Sequence, residues 1–355
     1  MNASIAPERV KLLGSGSAFP GPKVSTATLI RSLASFCSER QVKLARSLAQ
    51  RLGIEYRHLS RDLCRAKGQA KEGCSAPALC ATALRSALAQ SQGAIEDVTY
   101  LIGHTASPHT LLPPNISWVS EEIDFNGAYM ELRQACTGFA NALQIASAFV
   151  RANRSQAVAI VGSETGSPFF TAAPDFTDIE QLVNFVQMGD GAGAVVIGPD
   201  DGNERHVISD IFTGQIGNGK APGLQIAQGG SAAPYCNHNL PVFEHKADRV
   251  RTSGPALFEH GMEAIESRGY KLSDFRYIIP HQANGRMAGP LASRLGVPEE
   301  KIYVVADQFG NMGSAAMWVA LDNLRKHGDL NPGDRVLSLG AEATKFMYGG
   351  FVYTH

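Results

Sequence analysis

Asp97-Val-Thr-Tyr-Leu-Ile-Gly-His104-Thr-Ala106 and Asp274-Phe-Arg-Tyr-Ile-Ile-Pro-His281-Gln-Ala283 are the two stretches that decide the fold. Laid over one another they share Asp, Tyr, Ile, His and Ala at the same places. Two further pairs follow in the same order at nearly equal spacing. Cys136-Thr-Gly-Phe-Ala140 matches Asn311-Met-Gly-Ser-Ala315, and Val161-Gly-Ser-Glu164 matches Leu339-Gly-Ala-Glu342. One such match is chance; three in order predict a duplicated chain whose halves share a fold. We divide the chain at 1–200 and 201–355. The Gly-, Asn- and Pro-rich run from Asp200 to Lys246 reads as the boundary loop, with 221–234 as an irregular surface cover.

Within each half, short apolar runs alternate with helical patterns. Residues 98–102, 157–161, 192–197, 277–279, 302–305 and 335–339 read as buried strands. Residues 76–89, 138–151, 256–267 and 315–326 read as helices whose small residues allow close packing. Repeated strand–helix–strand order predicts an α/β fold with helix-covered sheets.

The 355 residues are 44% hydrophobic and 18% charged, with a formal net charge of −1. That balance argues against nucleic acid or an anionic membrane as the main partner, since both reward a basic excess. The first residues lack a charged start followed by an apolar core, and no apolar run approaches the roughly 20 residues a bilayer span needs. A cytoplasmic protein is expected. Of the six cysteines none forms a Cys-x-x-Cys pair, and the spacing of Cys64, Cys74 and Cys80 fits no common zinc finger, so no metal is expected.

Cys136 stands apart. An apolar-alternating stretch ends there and a helical pattern begins, which places the thiol at a strand-to-helix elbow. The positive end of a helix and its unpaired N–H groups favour a thiolate, the form that attacks carbonyls. The duplicated elbow carries Asn311, and His281 ends the strand that matches the one ending in His104. A pseudo-twofold would bring Cys136, His281 and Asn311 to a shared crevice, with a nucleophile, an imidazole and a carboxamide for acyl transfer. His104 reads as a structural echo of His281. Met188-Gly-Asp-Gly-Ala-Gly-Ala194 looks like a phosphate loop, but a glycine run this short is weak evidence for one.

At these residues the chain resembles the thiolase superfamily, and most closely the ketoacyl-acyl-carrier-protein synthase III enzymes. The similarity runs nearly end to end, through Leu12-Leu-Gly-Ser-Gly-Ser-Ala-Phe-Pro20, Leu52-Gly-Ile-Glu-Tyr-Arg-His58, Cys136-Thr-Gly-Phe, Met188 to Ala194, Pro280-His-Gln-Ala-Asn284 and Gly310-Asn311. It implies a duplicated thiolase-type five-layered αβαβα fold, a homodimer and a catalytic trio of Cys136, His281 and Asn311. Cys136 would take an acyl group from a coenzyme A or carrier-protein phosphopantetheine thioester. His281 and Asn311 would hold the carbonyl of a malonyl thioester during decarboxylation and Claisen condensation. No metal or organic cofactor is implied. The resemblance makes Met188 to Ala194 a structural turn into a buried strand. It also makes Asn284 a secondary site residue, though that side chain can instead cap the segment after Pro280. It assigns Arg286 to docking the acyl carrier protein, and Leu111 and Leu112 to a loop that closes the partner's acyl pocket.

The chain departs from the family pattern in three places. Its tryptophans are Trp118 and Trp318, so the early one that stacks on coenzyme A is missing. Gly162-Ser-Glu-Thr-Gly-Ser-Pro-Phe169 lacks an arginine often found there. The glycine-rich turn that gives an N–H to the acyl oxyanion reads Gly340-Ala-Glu342-Ala-Thr-Lys345. Glu342 is either an inherited structural carboxylate matching Glu164 or an acid–base group facing the crevice. The departures point to specialised metabolism. Acyl transfer from Cys136 to an alcohol or amine, and a non-catalytic carrier-binding subunit, are the competing functions.

Overall fold

The computed structural model describes residues 3–6, 8–63, 71–152, 156–170, 179–231, 233 and 243–355. Cys64 and Cys236 lie outside them. The first half contributes β1 (Ser4–Ala6), β2 (Val10–Ala18), β3 (Val24–Ser25), α1 (Thr26–Leu33), α2 (Glu39–Leu52) and β4 (Tyr56–Arg57). It continues with α3 (Ala76–Ser91), β5 (Val98–His104), α4 (Asn115–Glu122), β6 (Ala128–Leu132), α5 (Gly138–Ala152), β7 (Ala157–Glu164), α6 (Ile179–Gln187) and β8 (Gly191–Pro199). The second half adds β9 (Val207–Gln215), β10 (Leu224–Ile226), β11 (Phe243–His245), α7 (Ala247–Glu266) and β12 (Tyr277–Pro280). It closes with α8 (Ala288–Leu295), α9 (Ala306–Phe309), α10 (Ala316–His327), β13 (Arg335–Glu342) and β14 (Met347–Thr354).

The main sheet runs β12-β13-β14-β9-β2-β8-β7-β5-β6, with β1 added to β9. The order reads the same outward from the β9–β2 junction, so β14 answers β8, β13 answers β7 and β12 answers β5. That junction is thin. Only Val10 with Ile208 and Lys11 with Val207 pair across it, which makes one ten-stranded sheet of two lobes. The duplication extends to the turns that start β5 and β12. Asp97 accepts the Ala94 N–H at 2.8 Å and Asp274 accepts the Lys271 N–H at 2.8 Å, each closing a short 3-10 turn ahead of its strand.

Side-chain alternation along the strands sets the layers. In β7, Val158 and Ile160 join a central cluster with α5 and α10, while Ala159 and Val161 join an outer one with α3 and α4. In β13, Val336 faces the centre and Leu337 and Leu339 pack outward with α7 and α8. Helix, sheet, helix pair, sheet and helix are therefore stacked as the family resemblance implied. The middle helices are buried on most sides: Met317 to Leu321 of α10 are all buried, and Trp318 meets Phe139 of α5 edge-on at 5.8 Å. Removing a side chain of that size from such a place costs about 3–5 kcal/mol. Beside the layers, α1, α2 and α6 form a separate apolar cluster with Phe243.

Three expectations fail here. The run 200–246 is not a loop: β9 lies within it, next to the centre of the sheet, and β10 and β11 form a hairpin over part of the supposed cover. The signal was hidden because Ser209-Asp210 interrupts the apolar alternation; Asp210 has φ +50° and is held by Arg268 and Tyr270. Residues 302–305 do not make a strand. Ile302 bridges Ile278, but Gln282 then accepts the Val305 N–H and donates to Tyr303 O, taking the groups a strand would use. Helix α7 starts at Ala247, not 256, and carries Pro255 inside it.

Candidate active site

Strand β12 ends at Pro280 and delivers His281, whose N–H donates to Leu339 O of β13 at 2.8 Å. Asn311 is gripped like a strand residue: its N–H donates to Gln187 O (2.9 Å) and its C=O accepts the Gly189 N–H (3.0 Å). Its Oδ1 accepts the Gly313 N–H at 3.0 Å, leaving the carboxamide NH2 as the group not held by Gly313. Cys136 lies two residues before the start of α5 and is 8% exposed. These three side chains, from both halves, line one cavity of about 140 Å³, together with Glu164 and walls from α6, the β10–β11 hairpin and α7.

The expected thiolate is not what this elbow favours. Burial pushes the Cys136 thiol well up, and the Glu342 and Glu164 carboxylates push it further. The helix amide that would have stabilised negative sulfur is already used: Thr137 donates its N–H (2.9 Å) and its Oγ–H (2.7 Å) to Glu342 Oε2. Glu342 is buried, its other oxygen accepts from Thr344, and it therefore caps α5. It also lines a wider groove of about 700 Å³ that adjoins the cavity. Of its two readings, the contacts are those of the inherited structural carboxylate. Burial lowers the His281 pKa to about 4, so the imidazole is neutral at pH 7; its Nδ1 is buried with no hydrogen-bond partner among the described residues.

Glu164, which the sequence marked only as half of a repeat match, holds the mirror position. It accepts the Ser314 N–H (3.1 Å) and Oγ–H (3.0 Å) ahead of α10, and Ser107 donates to its other oxygen. Burial outweighs these bonds and raises its pKa to about 7.

The remaining residues scatter. Asn284 does not line the cavity; its Oδ1 accepts the Arg286 N–H at 3.0 Å, a turn contact. Arg286 is exposed on a separate surface groove beside Arg31 and Arg46. Leu111 and Leu112 are 67% and 85% exposed, with Leu111 at the edge of the wider groove. His104 is a structural histidine: buried, lowered to about 3 by burial, and accepting Trp318 Nε1–H at Nε2 (2.9 Å). Met188 to Ala194 is the expected turn, its Asp190 taken up by Ser60 and Ser167. Sequence reasoning missed Asn184, Gln187 and His245, which all line the cavity; nothing in their spacing marked them. Among the described residues, no His, Cys, Asp and Glu cluster could hold a metal, and no helix is long and apolar enough to cross a membrane.

A duplicated five-layered fold with a cysteine, a histidine and an asparagine meeting between its halves defines the class of thiolase-type condensing enzymes. Residues 130–215 match the family described as 3-oxoacyl-[acyl-carrier-protein] synthase III, and 265–353 match its C-terminal counterpart. A β-ketoacyl-[acyl-carrier-protein] synthase III of Clostridioides difficile is 30% identical over 277 residues, 76% of this chain and 81% of that protein. The solved structure of a tetronic acid condensing enzyme superposes with a TM-score of 0.83 at 25% identity, over 98% of this chain and 100% of that one. The priming β-ketosynthase of the R1128 polyketide pathway gives 0.79 at 26%, over 98% and 97%. The chain belongs to the β-ketoacyl-[acyl-carrier-protein] synthase III family, acyltransferases that act as condensing enzymes in fatty acid or polyketide biosynthesis.

Proposed function

We propose that this enzyme loads an acyl group from a coenzyme A or carrier-protein thioester onto Cys136 and condenses it with a malonyl thioester. The observation that carries the reading is the meeting of Cys136, His281 and Asn311 in one cavity, drawn from both halves. In loading, the Cys136 thiol proton passes to the neutral imidazole, Sγ forms a bond to the acyl carbon, the donor's C–S bond breaks, and the departing thiolate takes that proton back from the imidazolium. In condensation, the malonyl C–COO⁻ bond breaks and carbon dioxide departs. Its electron pair flows toward the thioester oxygen, where an N–H of His281 and the Asn311 amide stabilise enolate charge more than the ground-state carbonyl. The enolate carbon then attacks the acyl carbon, the bond from that carbon to Sγ breaks, and the released thiolate takes a proton from solvent to regenerate the Cys136 thiol.

No metal or organic cofactor enters this scheme. An acidic carrier protein suits the three guanidinium groups of Arg31, Arg46 and Arg286, which border one surface groove. A homodimer suits the exposed Leu111 and Leu112, two apolar side chains at a loop tip. The test is intact mass after incubation with a panel of acyl-coenzyme A and acyl-carrier thioesters, with Cys136→Ala as control. A mass gain lost in the variant supports the scheme; no gain with any donor sinks it.

A further inference from the structure

The catalytic cavity has a second imidazole that the condensation does not use. His245 ends β11 and lines the same cavity as Cys136, as do Asn184 and Gln187 of α6. The hydrogen bonds decide which of its nitrogens carries the proton. Asn184 donates from Nδ2 to Phe243 O at 2.9 Å, a carbonyl that can only accept, so the carboxamide orientation is determined. Its Oδ1 therefore faces His245 Nδ1, at 3.1 Å, and that nitrogen must be the donor. The proton sits on Nδ1 and Nε2 presents a lone pair. Burial keeps the ring neutral at pH 7 by lowering its pKa, against a smaller opposing pull from Glu180. Nε2 has no hydrogen-bond partner among the described residues. Gln187 is arranged likewise: Nε2 donates to Ala283 O at 2.6 Å, which leaves its Oε1 as an acceptor.

An acceptor fixed in this way on an otherwise apolar wall of Leu224, Phe243, Val250, Leu257 and Phe258 is matched by a ligand that brings a donor. We propose that His245 Nε2 binds an O–H or N–H group of the thioester substrate and so selects thioesters carrying a donor close to the reacting carbon. The inference rests on the reading that a thioester occupies this cavity. A cavity of about 140 Å³ takes a group of about benzene size. Two sources of such a donor fall within that reach: a hydroxyl on the acyl chain, or an amide N–H of the pantetheine arm.

The experiment uses the full chain carrying Cys136→Ala, in which thioesters bind without reacting. Calorimetric titration compares butyryl-pantetheine with 3-hydroxybutyryl-pantetheine, each with His245 intact, with His245→Leu and with His245→Gln. If the acyl hydroxyl is the donor, the hydroxylated probe binds about 5- to 100-fold tighter and His245→Leu erases that advantage. If the arm is the donor, His245→Leu weakens both probes by a similar factor. In either case His245→Gln, which retains an acceptor, recovers most of the affinity, whereas a packing role would be served better by leucine. Unchanged affinity of both probes in His245→Leu overturns the proposal. Failure of both probes to bind with His245 intact overturns the thioester reading itself.

Discussion

The starts of α5 and α10 are the same construction used for opposite ends. At α5, Thr137 is capped by Glu342; at α10, Ser314 is capped by Glu164. Each half supplies the carboxylate that caps the other half's helix. Counted from the capped residues, however, the elbows differ in length. Cys136 is adjacent to Thr137, whereas Met312 and Gly313 separate Asn311 from Ser314. The short elbow holds Cys136 against the helix end, beside Glu342 and Glu164. The longer one sets Asn311 back into a strand-like grip with Gln187 and Gly189 and turns its Oδ1 onto Gly313. Duplication thus preserved the capping device, while the capped residue moved from the place directly after Cys136 to the third place after Asn311.

The largest effects should separate the two elbows functionally. Cys136→Ala should abolish acyl loading, while Asn311→Ala should still load and lose about 10²- to 10³-fold in decarboxylation, as when one oxyanion donor is removed. Intact mass reads the first and carbon dioxide release the second. Loss of loading in Asn311→Ala would erase the division of labour.

Gly313→Ala attacks the longer elbow alone. The residue has φ +45°, and an added Cβ would lie 2.3 Å from Glu164 Oε2. Destabilisation of about 1–3 kcal/mol is expected in urea unfolding, and unchanged stability would show that this cap can yield.

Glu164→Gln tests the charge at that cap. Its folded pKa of about 7 exceeds the ordinary 4.5, so its contribution to stability is present below 4.5 and lost as pH rises through 7. The glutamine variant, neutral throughout, should match the parent near pH 4.5 and exceed it above pH 7 by on the order of 3 kcal/mol. Urea midpoints across pH 4.5–8 check the sign; a constant difference would contradict it.

The smallest expected effect belongs to Glu342→Gln. Removing the carboxylate beside Cys136 should move the pH profile of thiol alkylation to lower pH, with the caps still satisfied. A profile that stays in place would make burial, not Glu342, the whole cause of the raised thiol.

Much of this was legible in residue order. The repeated Asp-x-x-Tyr-x-Ile-x-His stretch marked equivalent strands because an Asp-closed turn, an alternating strand and a terminal histidine are local devices whose chemistry is written in adjacent residues. The three chemical groups of the site were legible for the same reason, each at the end of a local element. β9 was not, because Ser209 and Asp210 break its pattern and their partners Arg268 and Tyr270 come from farther along the chain. Nor was the environment of the sulfur. Local sequence predicts a helix end that favours thiolate. Burial of the sulfur between the two halves reverses that prediction, and Glu342, which reaches Thr137 across 205 residues, and Glu164, which reaches Ser314 across 150, add to it. Sequence by itself determined the duplicated α/β frame and which side chains stand at its elbows, since periodicity and turn chemistry act over a few residues. Only the tertiary structure decided the charge, protonation and hydrogen-bond vacancy of those side chains, because electrostatics and desolvation act through space on groups that the chain order keeps far apart.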